Sequence, residues 1–215
     1  MRVEDLGMLA YRPAWEMQER IHAEVLAGGD ERLLLVEHPP VITLGRRPGI
    51  ERNMLASEEQ LAQLGVELVQ SDRGGDITFH GPGQLVVYPI IRLADHHLSV
   101  SGYVHRLESA VIRALKEWQI DAYADPKAVG VWTNVNELPS KICAIGVRIR
   151  KGVSMHGLAL NVATDLNYFN LIIPCGLTGR AVTSLQQLRM SHTPLMDQVK
   201  DIIIKHLMGS LGNTA

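Results

Sequence analysis

The chain has 215 residues, 46% of them hydrophobic and 20% charged, the composition of an ordinary globular protein rather than a disordered or fibrous one. At that length one core buries about 70% of the surface an unfolded chain exposes, so a single domain over residues 1–215 is expected. Lys and Arg number 21 against 23 Asp and Glu, for a net charge of −2, which excludes the strong cationic field of a nucleic-acid or anionic-membrane binder. The opening MRVEDLGMLAYRPAW carries Glu4 and Asp5 and has no apolar h-region, so it does not read as a signal peptide. The longest aliphatic runs, Leu33 to Val36 and Ile202 to Ile204, are too short to cross a bilayer. With only two cysteines, Cys143 and Cys175, a secreted disulfide scaffold is a poor fit. Two reduced thiols in a cytoplasmic protein is the reading taken, with a single bridge as its alternative.

Along the chain, residues 14–27 read as a helix with Met17, Ile21 and Val25 at spacing four. Leu33 to Val36 and Val41 to Leu44 read as strands, separated by His38-Pro39-Pro40, which a continuous strand would not tolerate. Ser57-Glu58-Glu59-Gln60 has the form of a capping box, and Gly65 stands where that helix would end. Val66 to Val69 and Asp76 to Ile91 are strand-rich with glycine breaks. Residues 103–118 carry the stripe Val104, Leu107, Val111, Leu115 and Trp118, an amphipathic helix. Ile142 to Arg150 and Val153 to Val162 read as a hairpin around Lys151-Gly152, and Pro194 introduces a last helix over 195–208. Hairpins mixed with helices, without regular strand–helix alternation, predict an α+β fold. Residues 185–215 differ in texture and form a candidate C-terminal cap.

Four segments look unlike scaffold. Residues 73–84, RGGDITFHGPGQ, put four glycines among Arg, Thr and His. Such a stretch allows close backbone approach to a ligand, or forms a tight turn. It matches neither a phosphate-binding loop nor a dinucleotide fingerprint. In Pro174-Cys175-Gly176, the cysteine stands between turn residues rather than in an apolar stripe. Cys175 reads equally as a small core residue or as a nucleophile whose neighbouring N–H points at an oxyanion. Lys141 opens an apolar strand, either as a surface charge or as a cleft cation that lowers a thiol's pKa. Cys143, two residues on, faces the same side by period two and reads as packing. In His156-Gly157-Leu158-Ala159, small residues leave room for a ligand or for close strand packing. No His-x-x-x-His or Cys-x-x-Cys spacing is present, so neither metal nor cofactor is expected.

Taken in order, RGGDITFHGPGQLVVYP, KICAIGV, HGLALNV and IIPCGL resemble the lipoyl(octanoyl) transferase family, and TLGRRP at residues 43–48 fits it too. The resemblance runs from about Leu33 to Ser184. It implies a biotin/lipoate protein ligase-like fold, a mixed sheet with flanking helices and a smaller second sheet. It implies transfer of octanoyl from acyl carrier protein to one lysine of a lipoyl domain, in 2-oxoacid dehydrogenases or the glycine-cleavage H protein. Its acyl-thioester cysteine falls on Cys175 and its pKa-lowering lysine on Lys141. Its substrate contacts fall on Arg73, Gly74, Gly75, Asp76, Ile77, Thr78, Phe79 and His80, on Ala144, Ile145 and Gly146, and on Gly157, Leu158 and Ala159. The rivals are an ATP-dependent lipoate or biotin ligase, which needs no cysteine nucleophile, a silent lipoyl-domain binder, and a thiol hydrolase pairing Cys175 with His80 or His156.

Overall fold

The structure is a computed structural model that describes residues 1–173 and 181–212, without the side chain of Ser191. Its eleven strands and five α-helices among the described residues build two sheets. The larger sheet holds β1 (Arg2–Met8), β2 (Arg32–Glu37), β6 (Gln84–Ile90), β10 (Val153–Asn161), β9 (Leu138–Arg150), β8 (Ala128–Val135) and β7 (Ala122–Asp125), in that spatial order. The short β11 (Ala181–Val182) pairs with β9 in parallel, as β1 does with β2, while the other neighbours run antiparallel. The smaller sheet has the order β4 (Glu67–Gln70), β3 (Val41–Leu44), β5 (Thr78–His80). The α+β class, the mixed sheet and the smaller sheet are as the sequence predicts.

The large sheet is covered on both faces. One face packs Leu33, Leu35, Val87 and Leu160 against α3 (Val100–Glu117) and α5 (Met196–Leu211). The other packs Leu34, Val36, Val86 and Ile90 against Ala14, Ile21 and Val25 of α1 (Tyr11–Leu26). This explains why Leu33 to Val36 is an unbroken aliphatic run: all four side chains are fully buried, two on each face. Each such side chain contributes about 1.5–3 kcal/mol on leaving water. The capping box at Ser57 forms as expected and starts α2 (Glu58–Gln63).

Two helices begin earlier than the stripes suggest. In α1, Pro13 lies within the first turn, where its missing N–H costs nothing. In α3, the Ser99 hydroxyl accepts the Gly102 N–H at 3.1 Å and caps the helix three residues ahead of the predicted start. Strands β1, β7, β8 and β11 had no prediction. Five of the seven residues of β1 are exposed, so it carries little of the apolar patterning that marks a strand. Among the described residues no helix is long and apolar enough to cross a membrane.

Candidate active site

Between the two sheets lies a cavity of about 430 Å³. Its floor is the β9–β10 pair, where Gly146 faces Gly157 and Ala144 faces Ala159. Four small residues in two alternate cross-strand pairs leave a trench that larger side chains would fill. Ile145 and Leu158 also border it, and Val86 and Tyr88 of β6 line it beside the trench.

The wall comes from the glycine-rich segment. Arg73 is buried, and it ties this segment to the small sheet. Its Nε donates to Thr43 Oγ1 at 3.1 Å, its Nη2 to Thr43 O at 2.6 Å and its Nη1 to Gly74 O at 3.1 Å. The Gly74 N–H reaches Val147 O at 2.9 Å, which docks the segment on β9. Burial pushes the Asp76 carboxyl up, but hydrogen bonds from Ile77 N–H, Asn53 and Arg47 outweigh it and hold the group below its usual range. Arg73, Gly75, Asp76, Ile77, Thr78 and His80 therefore face the cavity. Gly74 does not border it, and Phe79 turns away to stack on Tyr168, with ring centroids 4.7 Å apart, in the core of the small sheet.

Lys141 reaches the same cavity through an irregularity in its strand. Trp132 pairs with Lys141 and Val131 with Cys143, so one residue of β9 is extra between them. Such a bulge inverts the alternation of side chains. Lys141 before it and Ala144 and Gly146 after it all face the trench. Cys143 instead enters the core under α3, opposite Leu160, where burial pushes its thiol up to about 12. The period-two expectation that Cys143 shares a side with Lys141 is thus corrected, while its packing role stands. Lys141 Nζ donates to Val129 O at 3.1 Å and lies 4.7 Å from the centre of the Trp132 ring. Gly130, at φ 125°, lets the strand press on the lysine stem, since a Cβ there would lie 2.7 Å from Cys143 O and 3.3 Å from Lys141 Cε. Cys175 lies outside the described residues. Val182 of β11 pairs with Lys141.

Residues of the inner end went unmarked in the sequence. Tyr11 stacks on His80 with centroids 5.9 Å apart, and His38 Nε2 accepts from the Tyr88 hydroxyl at 2.8 Å. His80 Nδ1 donates to Gln84 Oε1 at 2.7 Å, and Gln84 Nε2 donates on to Asn161 Oδ1 at 2.9 Å. His156 shares the cavity, although the sequence offers it only as a hydrolase partner. Scattered from residue 11 to residue 156, this polar cluster has no local spacing to reveal it.

These histidines are held neutral. Burial lowers His38 from 6.5 to about 4 despite its bond to Leu9 O. Burial, with His38 and Arg73 nearby, takes His80 well below its ordinary value. Burial, Arg73 and Arg148 lower His156. The unfolded chain binds protons that the fold refuses, so this stability is complete above pH 6.5 and is lost as pH falls toward 4. From His38 alone the loss is about 3 kcal/mol. Urea unfolding at pH 7, 5.5 and 4.5 should show it, and His38→Gln should flatten the dependence. A wild-type midpoint constant across that range would contradict the assignment.

The sequence model of the lipoyl protein ligase A/B catalytic domain matches residues 10–208. The chain belongs to this family. An octanoyltransferase of Bacteroides fragilis is 47% identical, with 96% of each chain covered. One of Chloroflexus aurantiacus is 46% identical over 96% of this chain and 92% of its own. Among solved structures, lipoate-protein ligase A bound with ATP superimposes with a TM-score of 0.78 at 19% identity, covering 98% of this chain and 85% of that one. The Aquifex aeolicus biotin protein ligase gives 0.54 at 14% identity, covering 98% and 69%. This chain thus shares its fold with a lipoate-protein ligase A solved with ATP bound, so the architecture alone does not name the reaction.

Proposed function

We propose that this chain is an octanoyltransferase, an acyltransferase of protein lipoylation. It takes octanoyl from an acyl carrier protein thioester onto Cys175 and passes it to one lysine of a lipoyl domain, in a 2-oxoacid dehydrogenase or the glycine-cleavage H protein. The reading is carried by near-full-length similarity to octanoyltransferases. A trench floored by Ala144, Gly146, Gly157 and Ala159, with Lys141 at its margin, supports it.

In the first step the Cys175 thiolate attacks the donor's carbonyl carbon. A new C–S bond forms, the carrier's C–S bond breaks, and the carrier's thiolate takes up a proton. In the second, the acceptor's neutral amine attacks the enzyme thioester, an amide C–N bond forms, and Cys175 leaves as thiolate. The nitrogen's surplus proton departs to solvent. Lys141 favours the thiolate in both steps by charge. The cytoplasm supplies both carrier and acceptor, and neither metal nor ATP enters the balance.

The test is incubation with octanoyl-acyl carrier protein and an apo-lipoyl domain, read by mass spectrometry of the acceptor. Octanoylation of one lysine without ATP supports the reading. Modification only with free octanoate and ATP would make the chain a ligase. Lys141→Met keeps the stem and removes the charge. It should slow enzyme acylation about a hundredfold and move its pH profile upward. An unshifted profile would remove Lys141 from its assigned role.

A further inference from the structure

Two residues of β8 stand outside its ladder. Val131 pairs with Ala124 and Ala128 with Asp125, so Val129 and Gly130 are extra between adjacent residues of β7. The β8–β9 register begins only at Val131. A bulge of this kind takes the peptide between the two extra residues out of the regular ladder. Gly130 makes it possible, because its φ of 125° is a value that other residues rarely adopt.

Both polar groups of that peptide are nevertheless engaged. The Gly130 N–H donates to Glu108 Oε1 of α3 at 3.0 Å. Val129 O, on the other side of the same bond, accepts from Lys141 Nζ at 3.1 Å. The bond is trans, so the two groups point in opposite directions. One amide thus stands between the Glu108 carboxylate and the Lys141 ammonium. Trp132 Nε1 donates to Ala128 O at 2.8 Å, which ties down the preceding peptide. Glu108 fixes the way the next one faces.

Glu108 is unusual for its place. It is 7% exposed, on a helix that packs Leu107 and Val111 into the core, and a glutamate is rarely buried this far without a partner. Its other neighbour is His105, largely exposed, with Nδ1 3.8 Å from Oε2. Asp125 shares an open groove with Glu108, and Lys127 borders the cavity beside Lys141. Cys143 lies below in the core, while Arg73 and the Arg47–Asp76 pair stand around the cavity. Glu108 itself does not border the cavity.

We propose that Glu108 is the positioning residue of Lys141, holding the Val129–Gly130 amide so that its carbonyl anchors the ammonium at the margin of the trench. Hydrogen bonds in series polarise one another, so the carboxylate also strengthens that carbonyl as an acceptor. Without it, a glycine peptide outside the ladder is free to turn over, and the lysine loses its anchor. The proposal rests on the acyl-transfer reading, in which the cation favours the Cys175 thiolate. No bond is made or broken at Glu108, so the balance of the reaction does not change.

The test reads the thiol directly, as the pH profile of Cys175 alkylation by iodoacetamide, located by peptide mass spectrometry. Octanoylation from acyl carrier protein is run alongside. Glu108→Ala should move both profiles upward, as Lys141→Met does, and slow both reactions at neutral pH about tenfold, the worth of one hydrogen bond to a charged group. Glu108→Gln keeps an oxygen for the Gly130 N–H and should stay within about threefold of wild type. In a Lys141→Met background, Glu108→Ala should have no further effect on either profile, because residues that act through one another are not additive. A residue that only supports the fold would instead lower the melting temperature, leave both profiles in place and add its loss to that of Lys141→Met. Those results overturn the proposal, as does a Gln variant no better than the Ala variant. If Lys141→Met itself leaves the alkylation profile unmoved, the role of Lys141 falls and the proposal falls with it. A shifted Lys141→Met profile beside an unshifted Glu108→Ala one overturns the proposal alone.

Discussion

Cys175→Ser is expected to abolish octanoyl transfer, with a loss of at least about 10⁴-fold. The oxygen nucleophile is the reason. A serine hydroxyl stays protonated at neutral pH, whereas a thiol next to a cation ionises readily. An oxygen ester, if formed, is also a poorer acyl donor to an amine than a thioester. Intact-protein mass spectrometry after brief exposure to octanoyl-acyl carrier protein gives the direct readout. Wild type should gain one octanoyl group that hydroxylamine removes and an apo-lipoyl domain discharges, and the serine variant should gain none. Full transfer by the serine variant would sink the thioester mechanism and return the chain to the ligase reading.

Gly157→Ala should be the most damaging single methyl in the trench. A Cβ at that position would stand 2.0 Å from Val87 O and 2.9 Å from Pro89 Cδ, both in the adjacent strand β6. A carbonyl within a sheet ladder cannot step aside, so β6 and β10 must separate locally. Overpacking of this kind costs about 3 kcal/mol, equivalent to a fall in Tm of about 6–12 °C for a chain of this size. The trench loses depth as well, so octanoyl transfer should fall further than the folded fraction does. Gly209→Ala is the matched control. It lies exposed in α5 with no atom within 4 Å of the added carbon, and should gain about 1 kcal/mol from helix propensity. Thermal unfolding followed by circular dichroism separates the two. Equal melting temperatures for Gly157→Ala and wild type would mean that the strand contact is looser than the geometry requires.

Much of the fold could be read because its periodicities are local. The α3 stripe, the β9–β10 hairpin and the Ser57 box each declare themselves within a few residues. The edge strand β1 does not, because its side chains are mostly exposed and its pairing partner lies 30 residues on, Arg2 opposite Arg32. Within the candidate site, the residues flagged from motifs are those on contiguous segments, and most of them border one cavity. Phe79 misled because β5 alternates: His80 faces the cavity and its neighbour must face the other way. Tyr11, His38 and Tyr88 were missed because only tertiary packing brings them to His80 and His156. Cys143 was given the wrong side because a bulge leaves no mark in composition or spacing.

That bulge makes the length of β9 matter as much as its composition. One residue more between Lys141 and Ala144 than a regular strand would use sets the lysine and the trench on a common face. Deleting a single residue there would preserve every chemical group and nearly all the hydrogen-bonded ladder, yet it would drive an ammonium into the oily layer under α3 or slide the small residues out of the trench. Substitutions in this stretch can be graded by size and polarity. Changes of length have no small version, so homologous chains carrying this site should vary in residue type along β9 far more freely than in residue count.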